Sequence, residues 1–248
     1  MGDHYLQPLV DTHTHTVLSG HSWSTLQDNI SAAVQKNLSG ICLTEHGPAI
    51  PGGAPGFIPH SQQMLPRVID GITVYKGVEA NIIDYDGKID IPDKYLPLTE
   101  FVIASYHSES LTPSTFSENT KAYIGAIRNP YVDMLGHPDD PRIPCDFEAI
   151  ILEAKKLRKL MEFNNNSLTP HRPNSRENLV RFVNLCKKNE MPVCVSSDAH
   201  FHTMIGNVEP IKNLLYELDF PQELIINRTQ KTFEQYLDLR SFRLCSKE

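Results

Sequence analysis

No run of about 18 apolar residues occurs, so the sequence offers no helix able to cross a bilayer. Positive charge is also short. Lys and Arg number 23 against 30 Asp and Glu, leaving a formal charge of −7. That argues against broad capture of nucleic acid and against docking on an anionic membrane. A small anion is not excluded, because bound metal ions reverse the local sign. Cysteine is sparse: Cys42, Cys145, Cys186, Cys194 and Cys245 are odd in number and form no Cys-x-x-Cys pair. The pattern fits reduced, mostly buried thiols in a cytoplasmic protein. The N-terminus lacks the basic region and apolar stretch of a secretory signal. Leu6 stands where myristoylation of Gly2 needs Ser or Thr. No linker, repeat or low-complexity tract breaks the chain, so one domain over 1–248 is expected.

What is present is a series of seven hydrophobic runs, nearly all ending in a metal-ligand side chain. Leu9–Thr12 leads to His13 and His15, and Gly40–Thr44 to Glu45 and His46. Thr73–Val78 ends at Glu79, Phe101–Tyr106 at His107 and Val132–Gly136 at His137. Leu160–Phe163 ends in Asn164, Asn165 and Asn166, and Val193–Ser197 in Asp198 and His200. Helical patterns follow several runs, at Ser24–Lys36, Asp146–Lys159, Ser175–Lys188, Glu209–Leu218 and Thr229–Arg240. In the first, Leu26, Ile30, Ala33 and Val34 share a face, and Ser24 with Gln27 has capping-box spacing. Strand followed by helix, repeated, means parallel strands with helical crossovers. The 248 residues match the roughly 250 of an α/β barrel. Seven strands rather than eight predict a distorted (β/α)7 barrel. Gly47–Pro59, rich in Gly and Pro, is expected over the active rim as a loop or lid. Tyr85-Asp86-Gly87-Lys88 is a hairpin-turn signal.

His13 and His15 are two apart, which on a strand turns both imidazoles to one face. His46, Glu79, His107, His137, Asp198 and His200 all fall at strand ends, where such barrels place their active sites. His21, six residues beyond His15, can bend back over the rim. Imidazole with carboxylate suits zinc, manganese or iron.

These residues resemble the polymerase and histidinol phosphatase (PHP) family of metal-dependent phosphoesterases over essentially the whole chain. The resemblance rests on His13-Thr14-His15, Thr44-Glu45-His46-Gly47, Gly77-Val78-Glu79-Ala80-Asn81, His107, Gly136-His137-Pro138 and Ser197-Asp198-Ala199-His200. It points to the small stand-alone branch, to which His21, Pro48 and the Glu162–Ser167 stretch are also similar. The resemblance implies three divalent ions, zinc first, with manganese or iron as alternatives. The first ion takes His13, His15, Glu79 and Asp198. The second takes Glu79, His107 and His137, and the third His21, His46 and His200. Glu79, Asp198 and His200 are the implied catalytic residues. The implied reaction is attack of a metal-bound hydroxide on a small-molecule phosphomonoester.

Several other residues are open. Asp11 either orients a ligand imidazole or serves a hydrogen-bond network. Glu45, on the opposite strand face from His46, suits a salt bridge better than a catalytic role. Arg172 and Arg67 are candidate phosphate contacts through their planar forks, and Asn165 is a candidate substrate contact. Trp23 and Phe57 are candidates to line the mouth. His4, His60, His171 and His202 read as surface residues. A histidinol-phosphate phosphatase uses the same chemistry on one substrate. A nuclease fits the acidic balance poorly. An amidohydrolase would need a bridging lysine where the fourth run ends, and Ala104-Ser105-Tyr106-His107 has none. A metal-binding protein without catalysis would need no coordination position open to substrate.

Overall fold

The computed structural model describes residues 9–245; Gly2, His4 and Leu6, discussed above, lie outside the described residues. The seven runs all become strands: β1 (Val10–Thr14), β2 (Gly40–Leu43), β4 (Ile72–Asn81), β5 (Phe101–Ser105), β6 (Met134–Gly136), β7 (Leu160–Asn164) and β8 (Val193–Ser196). They pair in parallel in the order β1-β2-β4-β5-β6-β7-β8. A two-residue strand, β3 (Val68–Ile69), adds antiparallel to β4. The helices are α1 (Leu26–Gln35), α2 (Ile58–Ser61), α3 (Phe116–Arg128), α4 (Phe147–Lys156), α5 (Ser175–Lys188), α6 (Glu209–Glu217) and α7 (Gln230–Cys245). The sheet is a nearly closed, distorted barrel, as expected. Among the described residues no helix is long and apolar enough to cross a membrane.

Period-2 alternation sorts the strand side chains. Cys42, Tyr75, Phe101, Ile103, Met134, Leu160 and Cys194 pack with Phe233, Tyr236 and Leu237 of α7, which plugs the lower end of the barrel. The alternate positions, among them Val78, Val102, Leu135, Met161 and Val195, pack in the cluster that includes α3, α4 and α5. Continuing the first set along each strand leads to Glu79, Ser105, Asn164 and Asp198 at the upper rim. Gly136 is required by the close approach of β5: a Cβ there would lie 2.1 Å from Ser105 Oγ.

The closing seam joins β1 and β8 sparingly. Thr14 bridges Ala199, with His15 N donating to Ala199 O at 3.0 Å. Side chains complete it. The Asn227 amide donates to Val10 O (2.8 Å) and Val195 O (2.6 Å) and accepts from Val195 N (3.0 Å). The Asp11 carboxylate accepts from Ser197 N (3.1 Å), Ser197 Oγ (2.5 Å) and Gly206 N (2.8 Å). Asp11 therefore serves the seam network, not a ligand imidazole.

The local expectations need three amendments. The capping box of α1 is Thr25 with Asp28, not Ser24 with Gln27. Ser24 Oγ instead accepts the His202 amide at 2.8 Å. Val34 is half-exposed, and the buried stripe uses Asn29 instead, whose amide donates to His15 O at 2.9 Å. Helix α3 had no counterpart in the sequence reading. The Asp84–Ile89 turn does form, with Ile83 N donating to Lys88 O at 2.9 Å and Gly87 at φ +85°.

Candidate metal centre

The nine predicted ligands converge at the upper rim. Glu79 Oε2 lies 3.2 Å from His13 Nε2, 3.5 Å from His15 Nε2 and 2.6 Å from His46 Nδ1. Its other oxygen, Oε1, lies 3.2 Å from His137 Nε2 and 3.3 Å from His107 Nε2. Asp198 Oδ1 lies 3.3 Å from His15 Nε2 and 3.6 Å from His13 Nε2. His21 Nε2 faces His200 Nε2 at 3.0 Å, and the His46 ring is 4.9 Å from the His21 ring. His137 and Asp198 hold left-handed backbones, φ 29° and 52°, which L side chains rarely adopt.

Four of the nitrogens turned away from the cluster are tied down, which fixes those ring orientations, while His137 Nδ1 has no partner among the described residues. His13 Nδ1 meets Glu162 Oε1 at 2.6 Å, and His107 Nδ1 meets Asn81 Oδ1 at 2.7 Å. His15 Nδ1 meets Ser19 Oγ at 3.2 Å, and His200 Nδ1 meets the Asp198 carbonyl at 3.0 Å. The inward atoms are different. His13 Nε2, His15 Nε2, both His46 ring nitrogens and Glu79 Oε2 are buried without a hydrogen-bond partner among the described residues. Three donor sets have ligand atoms within 4.8 Å of one another: His13, His15 and Glu79; His46, Glu79 and His107; and His15, His46 and His200. Buried imidazoles and carboxylates crowded this way, with inward lone pairs unanswered, fit divalent cations.

Protonation states agree. Burial pushes His15 well down, helped by His46 and His200. Burial likewise lowers His137 and His200, and takes His21 to about 4. Burial opposes ionisation of Glu79 and Asp198, but the surrounding imidazoles hold both well below the usual carboxylate range, with Arg172 assisting at Asp198. Neutral imidazole and ionised carboxylate are the forms that ligate metals. His13 is the exception. Burial disfavours its charge, yet Glu79, Glu162 and Asp198 together raise its pKa well above the ordinary value. A cation would take over the role of that proton.

The surrounding candidates divide. Arg172 reaches the centre: its Nη2 donates to Asp198 Oδ2 at 2.8 Å, and its Nη1 has no partner among the described residues. Arg67 does not. It pairs with Glu100 and stacks over Tyr75, 4.5 Å from the ring centroid, lining a cleft at the opposite end of the barrel beside α7. Its carbonyl accepts from Val74 N at 2.8 Å, which places Arg67 beside the lower half of β4, at Val74, five residues before Glu79, with its fork turned to Glu100 and away from the rim. Asn165 also fails: its Oδ1 accepts from Ile211 N and so anchors α6. Its neighbours touch the ligand Asp198 instead, Asn164 at Oδ2 (3.1 Å) and Asn166 at the carbonyl (3.0 Å). Strand alternation turns Asn164 to the centre, and the 3-10 turn Asn165–Leu168 places Asn166 beside it. Glu45 has no salt-bridge partner among the described residues; its carboxylate accepts from Thr16 Oγ1 (2.6 Å) and Ser19 Oγ (2.5 Å), bracing the loop that supports His15 and His46.

The residue the sequence reading left without a role is Glu162. Besides orienting His13, it accepts from His137 N (2.7 Å), Ser196 Oγ (2.5 Å) and Asn164 Nδ2 (3.0 Å). A lone carboxylate inside the apolar run Leu160–Phe163 was the available signal. Above the cluster opens a cavity of about 690 Å³, lined in part by His21, His46, His107, Arg172, Asp198 and His200. The Gly47–Pro59 loop supplies Ile50 and Pro51 to its wall and is pinned by Asp90, which accepts from Ala49 N at 2.9 Å.

The PHP domain model matches residues 11–239, spanning β1 through most of α7. The chain belongs to the PHP domain family. Curated PHP relatives match along nearly their full length. A probable phosphatase of Caldicellulosiruptor bescii is 42% identical over 230 residues, covering 93% of this chain and 95% of that protein. A probable phosphatase of Acetivibrio thermocellus is 38% identical over 236 residues, covering 95% and 98%. Among solved structures, a histidinol phosphate phosphatase from Lactococcus lactis, complexed with zinc, L-histidinol and phosphate, superposes with a TM-score of 0.60. At 17% identity, covering 86% of this chain and 94% of that one, it shares the PHP fold.

Proposed function

We propose that this chain is a metal-dependent phosphatase that hydrolyses phosphomonoesters of small molecules at a trinuclear centre. The observation that carries the reading is the convergence of seven imidazoles and two carboxylates beneath an open cavity. The first ion is assigned to His13, His15, Glu79 and Asp198, the second to Glu79, His107 and His137, and the third to His21, His46 and His200. Zinc is the first choice for an imidazole-rich set, with manganese and iron as alternatives. Bound divalent ions supply Lewis acidity toward phosphoryl oxygens and lower the pKa of coordinated water toward neutrality.

The chain's own residues supply the rest. Glu79 turns its two oxygens to two ligand sets and so fixes their separation. Arg172 holds Asp198 through Nη2 and keeps Nη1 free for a phosphate oxygen. Glu162 keeps the His13 ring turned so that Nε2 faces inward. The cavity, about 690 Å³, is of the size that holds a small molecule rather than a polymer. The test is elemental analysis of the native protein combined with a phosphate-release panel. Two to three transition-metal ions per chain with release from small phosphomonoesters is expected. Full activity after verified removal of all metal, or metal without any release, rejects the reading.

A further inference from the structure

The cavity above the metal centre has two unlike walls. One is apolar and largely exposed. Trp23, the chain's one tryptophan, is 79% exposed there, and Phe201 is 42% exposed beside it. Ile50 and Met204 line the same cavity. Trp23 is not a loose rim residue. Its amide donates to the His200 carbonyl at 2.9 Å, and Ser22 Oγ donates to the same oxygen at 2.9 Å. Phe201 directly follows His200. The backbones that carry both rings are therefore anchored to His200. A large aromatic surface left in water next to a polar centre is area that a ligand can cover.

The other wall carries Arg142, His171 and Glu109, with Arg172 behind them. Arg142 is held in place by Asp140. Both guanidiniums on this wall are balanced by carboxylates, Arg142 by Asp140 and Arg172 by Asp198, so the apolar wall is what distinguishes one leaving group from another.

We infer that the site selects phosphomonoesters whose leaving group carries a flat ring, seated against Trp23 and Phe201. This rests on the phosphatase reading above. The reaction remains hydrolysis: a water oxygen bonds to phosphorus, the ester P–O bond breaks, and the leaving oxygen ends with a proton from that water. Ring contact adds binding energy that a purely aliphatic alcohol cannot supply.

The experiment uses the native metal-loaded protein and its Trp23→Ala and Trp23→Phe variants. Phenyl phosphate is compared with glycerol 3-phosphate and should have the higher kcat/KM. Trp23→Ala should raise its KM about tenfold, the loss of one good aromatic contact, with a much smaller change for glycerol 3-phosphate and recovery in Trp23→Phe. Because Trp23 is the sole tryptophan, its emission should shift on titration with phenylphosphonate, which is not hydrolysed. Equal losses on both substrates, no preference for the ring, or silent emission with the phosphonate overturns the inference. Absence of phosphate release from every ester overturns the phosphatase reading instead, and the phosphonate titration then still decides whether the ring site exists.

Discussion

Glu79 is surrounded by five imidazoles, which no neutral side chain of its shape can satisfy. Glu79→Gln puts an amide donor where a shared acceptor is needed. Metal content is expected to fall by at least one ion per chain, and kcat/KM by about 100-fold or more, beyond the loss typical of supporting residues. Wild-type metal content and turnover in that variant would reject the bridging role. Glu162 tests the layer beneath. It touches no inward nitrogen, yet it orients His13 and bonds the His137 amide. Glu162→Gln should weaken metal binding by roughly 10–100-fold with all nine ligands intact. Competition against a chelator of known affinity measures this, and an unchanged affinity would make Glu162 a purely structural carboxylate. Eight of the nine candidate ligands were legible because they stand at or just after the end of an apolar run, and His21 by its place in the loop after the first; Glu162 was not, because its role depends on β1 closing onto β8 beside β7, with His13 149 positions away in sequence.

The seam between β1 and β8 is the weakest pairing of the sheet, and Asn227 mends it from outside both strands. Asn227→Leu strands three buried backbone groups. At about 1–3 kcal/mol for each unmatched group, partly relieved by local relaxation, a loss of about 2–4 kcal/mol is expected. Urea unfolding reads it as a lower midpoint at unchanged slope; a loss below about 0.5 kcal/mol would mean the seam closes without it. Nothing in the sequence announces this, since Asn227 lies in a short turn between helical patterns. The strands themselves were readable because buried parallel strands are continuous apolar runs. Helix α3 was not, although Thr115 and Glu118 sit at cap spacing. Its first half, Phe116–Lys121, is mostly polar, and Asn119 is buried through bonds to Tyr106, Ser114 and Pro144 instead of by apolar packing. Partners supplied by tertiary structure hid its buried face. Arg67 shows the converse: a cation was visible, but which end of the barrel it occupied was decided by β3, a strand of two residues.

The barrel is anchored at two ends by different forces. Below, α7 closes the interior with Phe233, Tyr236 and Leu237, and Arg240 pairs with the buried Asp133 at 2.8 Å. Above, the interior ends in a crowd of buried ionisable groups: His15 is held far from protonation while Glu79 and Asp198 stay ionised. The rim follows the strand alternation, which puts Leu160 in the lower core and carries Asn164 to the top of β7. Metal binding is therefore expected to contribute strongly to the stability of the whole fold. An ion present at 1,000 times its dissociation constant stabilises the native state by about 4 kcal/mol. In a chain of this size each kcal/mol moves Tm by roughly 2–4 °C. Chelation, confirmed by elemental analysis, should thus lower Tm by about 8 °C or more, and restoring zinc should return it. Amide exchange adds a spatial check. Protection should fall first at β1, β8 and the loops carrying His21 and His200, while α7 stays protected. An unchanged Tm with verified metal loss would show that the rim holds itself together, and that the imidazole cluster owes its geometry to packing alone.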